Sequence, residues 1–411
     1  MRILLLFFLF FAFYLQSQII EEIEFIGLKK TKKEFLISQL KSKKGEVFNP
    51  EDWSEDFVRI QRLNLFFFID TNLIKNDNSV ILQFTVSEPL YLYPILGLGG
   101  FKDVLKLNLG FNEINFRGKG QSLGFEYQYY DRHSFTAFHS ALRTMSRWGY
   151  SIAIGKKATV EPLYALDTTS LFNFDVFSTQ LTGLYWIKRN LSVAATVGGF
   201  NEQYHQVDTA EIGLDQSDFS FSKGQIKVEL EFKDLAYFNE KQKGIQSKIF
   251  VETVKTKNFR NADFWRIQWL SKYFVVPYES ANLAFQSGVG FATNRNSPFS
   301  PYVVDGLVNV RAIGNRIARG TAITNFSAEW RQRILKTKWA FVQVVGFGDF
   351  AILRAPAKTY SMNNSPSFYT TGFGFRLYSR VLYKGVFRID FALPNVSLPN
   401  GGFSFGLTQF F

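Results

Sequence analysis

From about residue 90 to residue 411, apolar and polar side chains alternate with a period of two almost without interruption. Leu105, Leu107, Leu109 and Phe111 alternate with Lys106, Asn108, Gly110 and Asn112; Leu123, Phe125, Tyr127 and Tyr129 alternate with Ser122, Gly124, Glu126 and Gln128. Ile226, Val228, Leu230 and Phe232 and, near the end, Phe387, Ile389, Phe391 and Leu393 repeat the scheme. Successive side chains of an extended chain point to opposite faces, so the pattern predicts a long series of strands, each apolar on one face and polar on the other. Residues 19–89 read differently. Ile23 and Phe25 alternate with Glu22 and Glu24 up to Gly27, a short strand. Thr31-Lys32-Lys33-Glu34 has the form of a capping box, with Phe35, Leu36 and Leu40 as the apolar stripe of the helix behind it. Asn49-Pro50 opens a second helix that carries Trp53, Phe57 and Ile60 at helical spacing. Strands near Phe66–Leu73 and Ser79–Glu88, around a turn at Asn76-Asp77-Asn78, complete a β-α-α-β-β order.

Two architectures produce the long alternating region, a soluble β-sandwich and a transmembrane barrel. Three features favour the barrel. About 16 strands fit into residues 90–411 at roughly 20 residues for each strand and turn, within the range of outer-membrane barrels. The aromatic content is 18%, with 47 phenylalanines. The chain also ends in an alternating, aromatic-rich segment, Phe403–Phe411, in which Phe403, Phe405, Leu407 and Phe411 mark a final strand. The predicted fold class is therefore mainly β, a transmembrane antiparallel barrel of about 16 strands preceded by one small α+β domain. Closing a sheet on itself pairs every backbone group, as hydrocarbon demands.

The first residues are an address rather than structure. Met1–Gln18 places Arg2 before an apolar stretch from Ile3 to Leu15 and then short polar residues, the layout of a secretory signal peptide. The expected division is 1–18 signal peptide, 19–89 periplasmic domain and 90–411 barrel. Beyond Leu15 there is no apolar run long enough for a membrane helix. The absence of cysteine excludes disulfides, thiol catalysis and thiolate metal sites, and export without cysteine suits a Gram-negative envelope. Between Ile19 and Glu88, 10 Lys or Arg face 12 Asp or Glu, so essentially all of the chain's net +12 lies in the barrel region. A basic barrel suits anionic lipid headgroups or an anionic partner in the lumen; charges spread over loops and lumen with no partner are the plainer alternative. Nucleic acid is not an expected partner, because the basic residues are interleaved with lipid-facing positions.

Catalytic patterns are few. Gly402-Phe403-Ser404-Phe405-Gly406 satisfies the G-x-S-x-G spacing, but that nucleophile needs a strand-to-helix turn, and this segment reads as a strand. His133 and His139 share strand parity without a third ligand, and Gly97-Leu98-Gly99-Gly100 lacks dinucleotide-loop spacing. No enzyme activity, metal or cofactor is expected.

Several segments jointly resemble the BamA/TamA/Sam-type superfamily of outer-membrane assembly barrels, which also includes two-partner secretion transporters. Residues 19–89 are similar to a POTRA domain through Ile23-Glu24-Phe25-Ile26-Gly27, Lys30-Thr31, Gly45, Arg62-Leu63, Phe66–Ile69 and Val86-Ser87-Glu88. Asn108–Gly120 resembles the family's early strands and their Asn-Phe-x-Gly-x-Gly turn. Val310-Arg311-Ala312-Ile313 stands where the family carries Val-Arg-Gly-Phe/Tyr on a loop folded into the lumen, and Ala322–Trp330 matches the strand with an inward glutamate, here Glu329. The last strands, Gly372–Tyr378 and Gly385–Leu393, fit as well. The resemblance implies insertion of barrel clients into the outer membrane through a seam between first and last strands. It leaves open a dedicated polypeptide transporter or a plain pore. The implied partners are outer-membrane lipid and unfolded outer-membrane or secreted clients, with accessory periplasmic proteins left open.

Strand parity in Ala322–Trp330 turns Asn325, Ser327, Glu329 and Arg331 to the lumen. This predicts an Arg311–Glu329 latch in which charge reversal at both positions rescues either single reversal. Two departures from the family pattern bear on that latch. Ala312 and Ile313 replace a glycine and an aromatic residue. Gly348 matches the glycine of the next strand's Phe-x-Asp-x-Gly pattern, so the inward aspartate position falls on Gly346, Asp349 has the opposite parity, and the expected latch is thinner than the family's.

Overall fold

The computed structural model describes residues 18–411 except 67, 102–103, 145–146, 166–167, 209–217, 239–240, 258–262, 295–299, 307, 315–316, 338, 355–364, 380–385, 396–401 and 408–409. The expected signal peptide, Gln18 apart, lies outside the described residues. Two compact units result, one made of the chain up to Tyr91 together with Ile114–Gly120, the other of Leu92–Glu113 and Gln121–Phe411.

In the first unit β1 (Ile19–Ile26), α1 (Lys33–Gln39), α2 (Pro50–Arg62), β2 (Phe68–Lys75) and β3 (Ser79–Ser87) follow the predicted β-α-α-β-β order. β3 is the central strand of the sheet, parallel to β1 and antiparallel to β2. Its inward residues Val80, Leu82, Phe84 and Val86 are buried against Phe35, Leu36 and Leu40 beside α1 and Ile60 from α2. Each such side chain stabilises the fold by about 1.5–3 kcal/mol on leaving water. Gly27 follows β1 at φ +93°, where a Cβ would lie 2.1 Å from the Val86 carbonyl oxygen, so only glycine fits.

The second helix starts as predicted: the Asn49 side chain accepts from the Glu51 N–H at 2.9 Å and Pro50 occupies the first turn. The capping box does not form. Lys32 occupies the cap position of α1 with no side-chain bond, while the Thr31 hydroxyl lies 2.9 Å from the Tyr91 hydroxyl. Glu88 instead accepts the N–H groups of Lys30 and Thr31 at 2.8 and 2.9 Å. A buried carboxylate with no local motif around it, Asp56 on α2, accepts from the N–H groups of Lys41 and Ser42 at 2.6 and 2.9 Å. It satisfies backbone donors just beyond α1, where no helical partner exists.

The second unit is a closed antiparallel barrel of 16 strands among the described residues. Its strands are β4 (Leu92–Phe101), β5 (Val104–Phe116), β6 (Gln121–Tyr130), β7 (Arg132–Ala141), β8 (Trp148–Ala165), β9 (Thr168–Lys188), β10 (Leu191–Gln206), β11 (Asp218–Phe238), β12 (Lys241–Thr256), β13 (Phe264–Val275) and β14 (Ala281–Ala292). A short hairpin, β15 (Tyr302–Val304) with β16 (Ala318–Gly320), belongs to the long connection that follows β14. The barrel resumes with β17 (Ala322–Lys336), β18 (Ala340–Arg354), β19 (Ser367–Ser379), β20 (Val386–Pro394) and β21 (Phe403–Gly406).

The alternation seen in the sequence is the alternation between outside and lumen. Ile226, Val228, Leu230 and Phe232 on β11 are exposed, as are Phe387 and Phe391 on β20. An outward band of this kind is unfavourable in water and suits a hydrocarbon surrounding. β9 and β11 run for 21 residues each, about twice what a bilayer needs. Beyond the apolar outer band, β8 to β11 carry a second core on the inner face, formed by Leu163, Phe172, Phe174, Val176, Tyr204 and Phe221.

The predicted final strand is shorter than expected. β21 stops at Gly406 and pairs with β4 through Phe405↔Gly100 and Gly406↔Gly99 among the described residues. Leu407 and Phe411 are therefore not part of the strand. Phe411 lies buried against Phe274 and Ala284, and its carbonyl oxygen accepts from Arg331 at 3.0 Å. Apolar burial and this charged donor hold it inside the barrel, where continued pairing along β4 would turn alternate residues outward.

Candidate functional site: a charged cluster in the barrel lumen

The connection between β14 and β17 folds inward and buries Val310, Arg311, Ala312 and Ile313 almost completely. Val310 and Ile313 pack with Tyr302, Val304, Ile323, Ala351, Leu353 and Phe368, so one side of the loop is fastened to β17–β19 by an apolar core. Ala312 meets Val345, Phe347 and Ala392. Its φ is +57°, the left-handed region in which the family's glycine is at ease and an alanine is strained.

This backbone turn delivers Arg311 to two carboxylates. Asp349 on β18 accepts from Nη2 at 2.7 Å, from Nε at 2.7 Å and from the Arg311 backbone N–H at 3.0 Å. Glu329 on β17 accepts from Nη1 with one oxygen and from Arg331 Nε at 2.6 Å with the other. The latch predicted between Arg311 and Glu329 is thus a direct ion pair, with both side chains fully buried. The Arg311 guanidinium also lies 3.6 Å from the Phe347 ring centroid and 4.4 Å from that of Phe410, stacking worth about 2 kcal/mol in a desolvated place. Burial disfavours the charge on Arg311, but Glu329 and Asp349 outweigh it and keep the guanidinium protonated.

The placement of Asp349 corrects the expectation that it faces away. From Phe341 to Ala351 every second residue of β18 is buried, Val345, Phe347, Asp349 and Ala351 among them, while Gly346 is exposed. The Phe-x-Asp-x-Gly pattern of the family the chain resembles therefore falls on Phe347, Asp349 and Ala351, three residues later than a match through Gly348, with alanine in the glycine's place. The latch is consequently complete rather than thinned.

The cluster continues beyond the residues legible in the sequence. Arg376 on β19 pairs with Asp390 on β20 at 2.7 Å and approaches Glu329 at 3.9 Å, and Arg388 lies 3.6 Å from Asp390. Gly374 is required here, because a Cβ would stand 2.2 Å from Asp390 Oδ1 and 2.8 Å from Arg376 Nη1. Four guanidinium groups and three carboxylates from β17, β18, β19, β20 and the loop thus form one buried network. Such a network fixes geometry more than it adds stability, since each charge has given up its water.

The other candidates take no part in it. Phe403 is exposed, its ring 5.4 Å from that of Phe391, and Phe405 is half-buried in the closing pairs with β4. Leu407 is half-buried as well. Ser404 of the G-x-S-x-G segment sits in β21 opposite Asp390 in the ladder, with no helix following. His133 Nδ1 lies 2.8 Å from the Tyr127 hydroxyl. Among the described residues no group of three or more His, Asp or Glu side chains is arranged to hold a metal ion.

With this geometry in view, three comparisons place the chain among known folds. The POTRA family, described as the surface antigen variable number repeat, matches residues 18–88. No curated protein matches the sequence. Among solved structures, BamA from Haemophilus ducreyi lacking POTRA domains 1–3 is similar at 15% identity and a TM-score of 0.61, over 95% of this chain and 84% of that one. CdiB from Escherichia coli is similar at 12% identity and a TM-score of 0.67, over 95% and 76%. CdiB from Acinetobacter baumannii gives 13% and 0.65, over 95% and 74%. The chain is a POTRA-plus-barrel protein. The POTRA match at residues 18–88 precedes a barrel, of 16 strands among the described residues, with the fold of these BamA and CdiB structures.

Proposed function

We propose that this protein inserts β-barrel clients into the outer membrane of a Gram-negative bacterium, with its POTRA domain in the periplasm. The observation that carries the reading is the seam. The β10–β11 ladder runs unbroken from Leu191 to His205, whereas among the described residues β21 meets β4 only at Phe405↔Gly100 and Gly406↔Gly99. A ladder that short is easily parted, and parting it presents strand edges whose free N–H and C=O groups pair with an incoming strand. The POTRA sheet offers a second edge for an extended client, since β1 and β2 flank the central β3. The chemistry is non-covalent, and the client's own folding free energy drives it.

The fold likeness to CdiB favours a second reading, a dedicated transporter that passes one polypeptide through the lumen. Depleting the protein and quantifying the outer-membrane and extracellular proteomes separates the two. Loss of many unrelated barrels is the expected outcome; loss of a single secreted or surface protein would establish the transporter instead, and an unchanged proteome would leave a plain barrel.

A further inference from the structure

We propose that the β15–β16 hairpin is a door at the long-loop rim of the barrel, hinged on β17–β19 and held shut on β8 by an Arg319–Glu161 clasp. The two sides of the loop are fastened by different physics. Towards β17–β19 it is held by the apolar core around Val310 and Ile313 and by Arg311, whose two carboxylates are fully buried. Withdrawing Arg311 would take from the buried Asp349 the guanidinium that binds both its oxygens, so this side stays closed. Towards β8 the hold is polar. Arg319 Nη2 lies 2.7 Å from Glu161 Oε2, and Nη1 donates to the Ser300 carbonyl oxygen at 3.0 Å. In the barrel order β9, β10, β11, β12 and β13 stand between β8 and β14, so this contact reaches across the lumen.

The clasp is built to open cheaply. Glu161 already has a second cation in waiting: Lys157, half-exposed on the same strand, has its ammonium 3.7 Å from Oε1, and Thr159 donates to that oxygen at 2.9 Å. When Arg319 leaves, Lys157 takes over the carboxylate and Arg319 turns to water, so neither charge is left buried and alone. Tyr302 of the hairpin also lines a cavity of about 520 Å³, whose wall carries Lys248, Arg266, Lys272, Gln268 and Asn325 beside apolar residues. Opening the β8 side joins this basic space to the long-loop rim and gives small anions a path. The device is independent of whether the protein inserts clients or exports one.

The test is conductance of the full-length protein in planar bilayers bathed in potassium chloride. Arg319→Glu and Glu161→Arg each set like charges face to face, and each is expected to raise the open probability at least about tenfold. The double exchange restores the attraction between the two positions but sets the new cation beside half-exposed Lys157 and loses the bond to Ser300. It is expected to lower the open probability below that of either single exchange without reaching the native level. Because the chain has no cysteine, Arg319→Cys with Glu161→Cys can be bridged by a short bis-methanethiosulfonate linker. The bridged barrel should stay shut and open on reduction, with unchanged heat-modifiable gel mobility showing that the barrel is folded. Single exchanges that conduct no more than the native protein, or a bridged barrel that conducts as freely as the reduced one, would overturn the proposal.

Discussion

Two residues in the lumen carry consequences that their neighbours define. Ala312 holds φ +57° while its methyl packs on Phe347 and Val345. Ala312→Gly removes a backbone strain of about 1–2 kcal/mol against the loss of one methyl contact. It is therefore expected to fold as well as the native chain in a heat-modifiability series. Ala312→Val, β-branched at the same φ, should lower the melting temperature markedly. The second residue is Arg311. From the sequence, exchanging Arg311 and Glu329 rescues what either reversal loses. With Asp349 and Arg331 in place the outcome changes: the exchange sets a carboxylate against Asp349 and a guanidinium between Arg331 and Arg376. The double reversal is expected to be no more stable than the single ones, each losing about 3–5 kcal/mol. Recovery of native denaturation by the exchanged pair would mean that Glu329 alone is Arg311's effective partner.

At the scale of elements, the strands were legible because a period of two survives in any barrel whose outside meets lipid and whose inside meets water. Ile226–Phe232 and Leu105–Phe111 needed nothing else. The first helix was also legible from Phe35, Leu36 and Leu40, but its start was not. A capping box is a local pattern, and here a distant residue, Glu88, captures the N–H groups near Thr31. Asp349 failed for a related reason, since a glycine match within one strand cannot tell which face its neighbours take. Arg376, Asp390 and Arg319 carry no local pattern, and only the closed sheet brings their partners together.

Glu88 also gives the POTRA unit a pH dependence. Burial raises its pKa, but the Thr31 side chain and the Lys30 and Thr31 N–H groups outweigh this and hold the carboxyl below the usual glutamate range. Its contribution is present above the unfolded value, near 4.3, and is lost as pH falls through the lower folded value. Hydrogen exchange at Lys30 and Thr31, read by mass spectrometry, should accelerate across that window, and Glu88→Gln should flatten the change.

At the scale of the molecule, the short closing ladder separates the two client-handling readings. Cysteines at Gly100 and Phe405, opposed across the seam, should abolish insertion of other barrels when oxidised and release it when reduced. Continued insertion through an oxidised seam would remove the lateral route and leave the lumen as the path for clients. The charged cluster has a different bearing, on the order in which the protein itself is made. Its members come from a loop and from β17, β18, β19 and β20, and each of these charges is far costlier to dehydrate alone than in company. Arg311 can settle only after those four strands stand side by side, so its burial must follow their assembly. A barrel with its arginine seated has, by that fact, built this quarter of its wall, and one without it still has its plug in water.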